Sequence, residues 1–130
     1  MLLLCDCGGS NGNRQLRFKE DLCDLAVDLE IDLQVAHYPP GCSKYNPIEH
    51  RLFCHVSRAL SAVVLRTMEI AKYFIGRTTT AFDLRVVAEI ARRTYNKGLK
   101  ASAAFLDNMP IVFDRFLPEL NYTAPWSTPL

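Results

Sequence analysis

The hydrophobic pattern changes period twice within the first 37 residues, and this limits the possible folds more than any other feature. Residues 1–5 form a continuous apolar run, typical of a buried strand, which ends at Asp6 before a glycine-rich loop. From residue 14 to 29 apolar side chains recur at three- and four-residue steps, as in an amphipathic helix. From residue 31 to 37 they alternate with other side chains, as in a half-buried strand. The order strand, helix, strand predicts an α/β fold with two parallel strands, whose carboxyl ends carry Asp6 and His37.

The next predicted helix begins at residue 46. Asn46 is a favoured N-cap, and Pro47 suits the first helical position because its missing amide hydrogen would be unpaired there anyway. Glu49 follows at the third position, and an apolar stripe continues the helix to about residue 62.

The later part of the chain has weaker signals. Helices are predicted at about 66–75 and 101–107, whereas residues 84–90 fit either a strand or a helix. Four prolines predict an irregular C-terminal tail, which aromatic side chains would hold against the rest of the protein. The prolines are Pro110, Pro118, Pro125 and Pro129, and the aromatic residues are Phe113, Phe116, Tyr122 and Trp126.

Composition excludes several classes of protein. The chain has 130 residues, of which 49% are hydrophobic and 22% charged, and this fits one globular domain. No segment approaches the roughly 18 to 20 apolar residues that span a bilayer, so we expect a cytoplasmic protein without a membrane partner. The net charge of +1 gives no global attraction to nucleic acid. Five cysteines without repeated C-x-x-C spacing are expected to be reduced thiols.

Two carboxylates are candidates for metal chemistry. Asp6 follows the first strand and Glu49 lies in the first turn of a later helix, so both could reach the carboxyl edge of the sheet. Oxygen ligands of this kind suit Mg²⁺ or Mn²⁺, which support phosphodiester chemistry. Each residue also has a purely structural interpretation: Glu49 would complete a capping box with Asn46, and Asp6 would accept amides from the glycine loop.

Other chemistry is less well supported by the sequence. The glycine loop lacks the lysine and the spacing of phosphate-binding loops. A structural zinc site is an alternative, although no pair of its candidate ligands has the spacing found in standard zinc modules. These ligands are Cys5, Cys7, His37, Cys42, His50, Cys54 and His55. Two clusters of basic residues could bind phosphates, although such clusters more commonly form the solvent-exposed face of a helix. They are Arg14, Arg17 and Lys19, and Arg85, Arg92, Arg93, Lys97 and Lys100.

Two ordered motifs resemble one known family. Residues 5–12 read CDCGGSNG, and residues 37–53 read HYPPGCSKYNPIEHRLF. Together they closely resemble the Rhodopirellula-type DDE transposase family of bacterial insertion sequences, and residues 46–49 are also similar to a motif of mariner-like transposases. The resemblance extends over nearly the whole chain. Cys42 and Tyr45 depart from it, because the family usually has threonine and tryptophan around this motif.

The resemblance implies an RNase H-like fold and a role in DNA transposition, a form of DNA recombination. Residues 1–80 would form the C-terminal half of the DDE catalytic domain, and residues 81–130 a C-terminal extension of it. Asp6 matches the second acidic residue of the family and Glu49 the third, which makes both implied catalytic residues and ligands of Mg²⁺ or Mn²⁺. The candidate nucleic-acid contacts, to transposon ends and target DNA, are Lys44, His50 and Arg51.

The first aspartate of the family has no match in this sequence, since no acidic residue precedes Asp6. We therefore expect a truncated transposase fragment that binds Mg²⁺ weakly and performs little or no strand transfer alone. Missing strands would leave an open sheet edge, which favours self-association or pairing with full-length transposase. The alternative is a non-catalytic DNA- or protein-binding remnant of a transposase.

Overall fold

The computed structural model describes residues 1–127, and the chain divides into two compact units. The first unit combines Met1–Tyr45 with the described residues from Asn96 onward, and the second is Asn46–Tyr95. Within residues 1–127 no helix is both long and apolar enough to cross a membrane. The elements in chain order are β1 (Leu2–Cys5), α1 (Leu16–Leu29), β2 (Leu33–His37), a π-helical turn (Glu49–Phe53), α2 (Cys54–Ala59), α3 (Met68–Gly76), α4 (Ala103–Asp107), β3 (Val112–Phe113) and β4 (Asn121–Ala124).

The first unit is built on a four-stranded mixed sheet in the order β1-β2-β4-β3. β1 and β2 are parallel, with Leu3 opposite Val35, whereas β4 is antiparallel to both β2 and β3. The predicted strand, helix, strand unit and the α/β class are confirmed. The carboxyl ends of β1 and β2 lie side by side, because Cys5 is paired with His37.

The hydrophobic core lies entirely in the first unit. α1 contributes Leu22 and Ala26, and β2 contributes Leu33 and Val35 from alternate positions on one face. Leu29 belongs to the predicted apolar stripe of α1 but is 49% exposed. The buried face of this helix is therefore narrower than the apolar stripe predicted from the sequence. The remaining core side chains are Cys23, Phe105, Ile111, Tyr122 and Ala124.

The prediction of an irregular C-terminal tail is wrong. Residues 112–113 and 121–124 pair as β3 and β4, and β4 also pairs with β2. The prolines permit this because they lie outside the strands: Pro110 precedes β3, Pro118 lies between the strands and Pro125 follows β4. Pro129 lies outside the described residues. Of the four aromatic residues expected to pin this segment, Tyr122 is buried, whereas Phe113, Phe116 and Trp126 are exposed.

The second unit contains α2, α3 and the π-helical turn. Helix α3 begins after Thr67, whose hydroxyl accepts the Ile70 amide at 3.2 Å, two residues later than the predicted start. Residues 84–90, which the sequence left open between strand and helix, adopt neither structure. This unit contributes no residue to the hydrophobic core cluster of the described chain.

Candidate functional site

Asp6 lies directly after β1, at the carboxyl edge of the sheet. Its Oδ1 accepts the Gly8 amide at 3.3 Å, so the turn-forming role considered from the sequence is present. The other carboxylate oxygen has no hydrogen-bond partner among residues 1–127, and the side chain is exposed. One oxygen therefore shapes the loop while the other remains available to a ligand.

A cleft of about 300 Å³ opens beside Asp6. Pro39, Pro40 and Gly41 also line this cleft, and they belong to a turn in which the Cys42 amide donates to the Pro39 carbonyl at 3.0 Å. Gly41 has a φ of +79°, which suits the third position of a type II turn and favours glycine, and Pro40 suits the position before it. Ser43 adds a hydroxyl to the lining. The turn that contains the Pro-Pro-Gly motif thus brings Ser43, two residues after Gly41, to the same cleft as Asp6.

His37 connects the main chain of Asp6 to the core. Its Nδ1 lies 2.7 Å from the Asp6 carbonyl oxygen, which can only accept, so Nδ1 carries the proton. Nε2 lies 3.0 Å from the hydroxyl of Tyr122, and with the proton on Nδ1 this nitrogen accepts a hydrogen bond from that hydroxyl. Both residues are buried, and burial raises the pKa of Tyr122, which keeps its hydroxyl protonated.

Lys19 is a structural residue and is unsuited to phosphate binding. It is 5% exposed, donates to the carbonyl of Asn13 and lies 4.7 Å from the Tyr122 ring centroid. Burial lowers its pKa. Arg17 is also engaged, with Glu20 at 3.0 Å and Asp21 at 2.6 Å. The first basic group predicted from the sequence is therefore largely occupied within unit 1.

The two cysteines next to Asp6 are in surroundings that favour the protonated thiol over the thiolate. Cys7 donates to the Tyr38 carbonyl at 3.0 Å, and desolvation, followed by the charge of Asp6, raises the pKa of both Cys5 and Cys7. Both ring nitrogens of His37 are already hydrogen-bonded. Among residues 1–127, no three histidine, cysteine or acidic side chains come together as a metal cluster. The described structure therefore gives the zinc alternative no support.

Glu49 begins the π-helical turn of the second unit. Asn46 caps this helix as predicted, with its Oδ1 accepting the Ile48 amide at 3.3 Å. The predicted capping box does not form, because within residues 1–127 the Glu49 carboxylate makes no hydrogen bond to the Asn46 amide or to any other group. The Cys54 amide reaches back five residues to the Glu49 carbonyl. Turns of this kind are rare and occur frequently at functional sites.

The predicted site residues are divided between the two units. Asp6 and Lys44 belong to the first unit, whereas Glu49, His50 and Arg51 belong to the second. Whether the two carboxylates share one ion therefore stays a prediction. Sequence reasoning missed the link from His37 to Tyr122, which joins positions 85 residues apart. It also missed the π-helical turn, for which the sequence contained no recognised signal.

A family model described as the Rhodopirellula transposase DDE domain matches residues 1–125. No curated protein and no solved structure matches the chain. The four-stranded mixed sheet with its helices is consistent with a partial RNase H-like DDE fold. The match covers nearly all of the 130 residues, and it includes both motifs that carried the resemblance. The chain belongs to the Rhodopirellula-type family of transposase DDE domains.

Proposed function

We propose that this chain contributes to Mg²⁺-dependent DNA cleavage and strand transfer of an insertion sequence, with Asp6 and Glu49 as catalytic metal ligands. Family membership supports the reaction class. The observation that carries the residue assignment is the state of the two carboxylates, because each keeps at least one oxygen without a partner within residues 1–127. Carboxylate oxygens without a protein partner are available to a cation.

The donor chemistry fits a hard divalent ion. Asp6 and Ser43 offer oxygen atoms to one cleft, and Glu49 offers a half-buried carboxylate in the second unit. When bound, Mg²⁺ or Mn²⁺ would polarise the phosphodiester and lower the pKa of the attacking hydroxyl or water. His37 holds the main chain of Asp6, and the Gly8 amide fixes one oxygen of its carboxylate.

The family uses three carboxylates to hold two ions, and this chain supplies matches to two. We infer weak Mg²⁺ binding and little or no strand transfer by this chain alone. The proposed nucleic-acid contacts are Lys44, His50 and Arg51, which flank or follow the motif that contains Glu49. Partners would be transposon-end and target DNA, a second copy or a full-length transposase, in the cytoplasm.

Titration with Mn²⁺, followed by paramagnetic line broadening in NMR spectra, tests the ligand assignment. We expect saturable broadening around Asp6 and Glu49 in the unmodified chain and its loss in the double variant Asp6→Asn, Glu49→Gln. The control pairs Asp24→Asn with Glu89→Gln, two exposed residues, and it changes the net charge equally and also takes one residue from each unit.

Single variants separate a shared ion from two independent sites. If Asp6 and Glu49 bind one ion, each single substitution weakens binding at both positions. If only local broadening is lost, the carboxylates act separately and the shared-ion assignment is wrong. Broadening that survives in the double variant rejects both carboxylates as ligands and favours the non-catalytic binding alternative.

A further inference from the structure

The near-neutral total charge conceals a separation between the two units. Residues 46–95 contain eight lysine and arginine against four acidic side chains, a net charge of +4. The rest of the chain contains seven basic and ten acidic side chains, a net charge of −3. Local charge of this kind governs the approach of a polyanion more than the total does. Electrostatics therefore favour DNA binding to the second unit rather than to the first.

A cleft of about 550 Å³ lies within this basic unit. It is lined by His50, Arg51, His55 and Arg58 from the helical segment and by four residues between positions 80 and 84. Arg51 in the π-helical turn and His55 and Arg58 in α2 line the same cleft. Within the described chain no carboxylate lines the cleft.

Two further features suit this cleft to a nucleic acid. His55 lines the cleft, and its Nδ1, which is shielded from solvent, has no hydrogen-bond partner among residues 1–127. Phe82, which also lines the cleft, is 96% exposed. An exposed aromatic ring beside cationic side chains is the usual arrangement for stacking on a base while the backbone is neutralised.

We propose that this cleft, which we call the basic cleft, binds the phosphodiester backbone of DNA through Arg51, His55 and Arg58 and places an unpaired base against Phe82. The inference rests on the proposed function only for the identity of the polyanion as DNA. Because Glu49 precedes the helical residues that line the cleft in the same unit, bound DNA would pass close to that carboxylate. The proposal adds His55, Arg58 and Phe82 to the contacts expected from the sequence.

Fluorescence anisotropy in EDTA with two labelled DNA probes tests the basic cleft. One probe is a blunt duplex and the other is the same duplex with a single-stranded overhang. The double variant Arg51→Gln, Arg58→Gln should weaken binding to both by about tenfold or more, and it should reduce the slope of log affinity against log salt by roughly 2. Phe82→Ala should weaken binding to the overhang by about tenfold and leave the blunt duplex nearly unchanged.

The matched control is Arg66→Gln with Lys72→Gln, which removes the same charge from exposed positions of the same unit that do not line the cleft. Equal losses in the two double variants would overturn the proposal, because binding would then follow diffuse charge. Absence of measurable binding by the unmodified chain would overturn it as well. The double variant Asp6→Asn, Glu49→Gln should bind the probes in EDTA at least as well as the unmodified chain. The two proposals can therefore fail separately: the metal ligands can be wrong while DNA binds the basic cleft, and the basic cleft can be wrong while the metal ligands are right.

Discussion

The contact between His37 and Tyr122 is the residue-scale feature that fixes Asp6. Tyr122→Phe removes the hydroxyl that donates to Nε2 of His37 at 3.0 Å and leaves that nitrogen unpaired in a buried environment. We expect a loss of about 1 to 3 kcal/mol in the free energy of unfolding, measured by urea denaturation, because the desolvated acceptor has no replacement partner.

Tyr73→Phe is the matched control for this prediction. The Tyr73 hydroxyl accepts from Arg77 at 2.6 Å, but the residue is 57% exposed, so water can replace the lost bond. The expected loss is below about 0.5 kcal/mol. Equal losses in the two variants would contradict the view that burial makes the hydroxyl of Tyr122 important.

At the scale of elements, Ser102 joins α4 to α1. Its hydroxyl accepts the Phe105 amide at 3.2 Å as the N-cap of α4 and donates to Glu20 of α1 at 2.5 Å, while its amide donates to the same carboxylate at 3.0 Å. The Ser102 hydroxyl, followed by its amide, lowers the pKa of Glu20. Stability from this contact is present above the ordinary pKa of 4.5 and is lost as the pH falls through the lowered value.

Ser102→Ala should therefore raise the pKa of Glu20 towards its ordinary value, as measured by NMR titration of the side-chain carboxyl carbon. It should also remove the cap, at a cost of about 0.5 to 2 kcal/mol in the free energy of unfolding. Asp114 provides the internal control, because the amides of Leu117 and Phe116 lower its pKa and do not involve Ser102. A parallel change in both carboxyl groups would indicate a global perturbation and contradict the proposed link.

At the scale of the whole molecule, β1 lies at one edge of the four-stranded sheet, and we propose that it pairs with a second copy of the chain. Among residues 1–127 it pairs on one side only, with β2. The carbonyls of Met1 and Cys5 accept amides from the β2 side, so by strand alternation the main-chain groups of Leu2 and Leu4 face away from β2. Both side chains are exposed, at 56% and 45%. Such an edge is a template for pairing with another strand.

Sedimentation equilibrium should therefore show a mass that rises with concentration, and Leu4→Lys should lower it by placing a charge on the edge. Leu29→Lys is the control, because Leu29 is similarly exposed, at 49%, but lies on α1. A monomer at all concentrations, or equal effects of both lysines, would contradict association through β1.

The sequence by itself determined the features that depend on neighbours along the chain. Hydrophobic periodicity located β1, α1 and β2, and hydrogen-bonding preference located the Asn46 cap. The motifs around Asp6 and Glu49 identified the family. Only the tertiary structure decided the state of each candidate side chain: Lys19 is buried, and the Glu49 carboxylate has no hydrogen-bond partner among residues 1–127.

The proline-rich tail forms β3 and β4 because β4 pairs with residues of β2 that lie 85 to 91 positions earlier in the chain. Local propensity for irregular structure was outweighed by this distant pairing and by burial of Tyr122. Periodicity records which residues prefer an apolar face, whereas hydrogen-bond partners and burial depend on which distant segments meet. The elements β1, α1 and β2 and the family could therefore be predicted from the order of residues, whereas β3, β4, the π-helical turn and the contacts that fix Asp6 and shape the basic cleft could not.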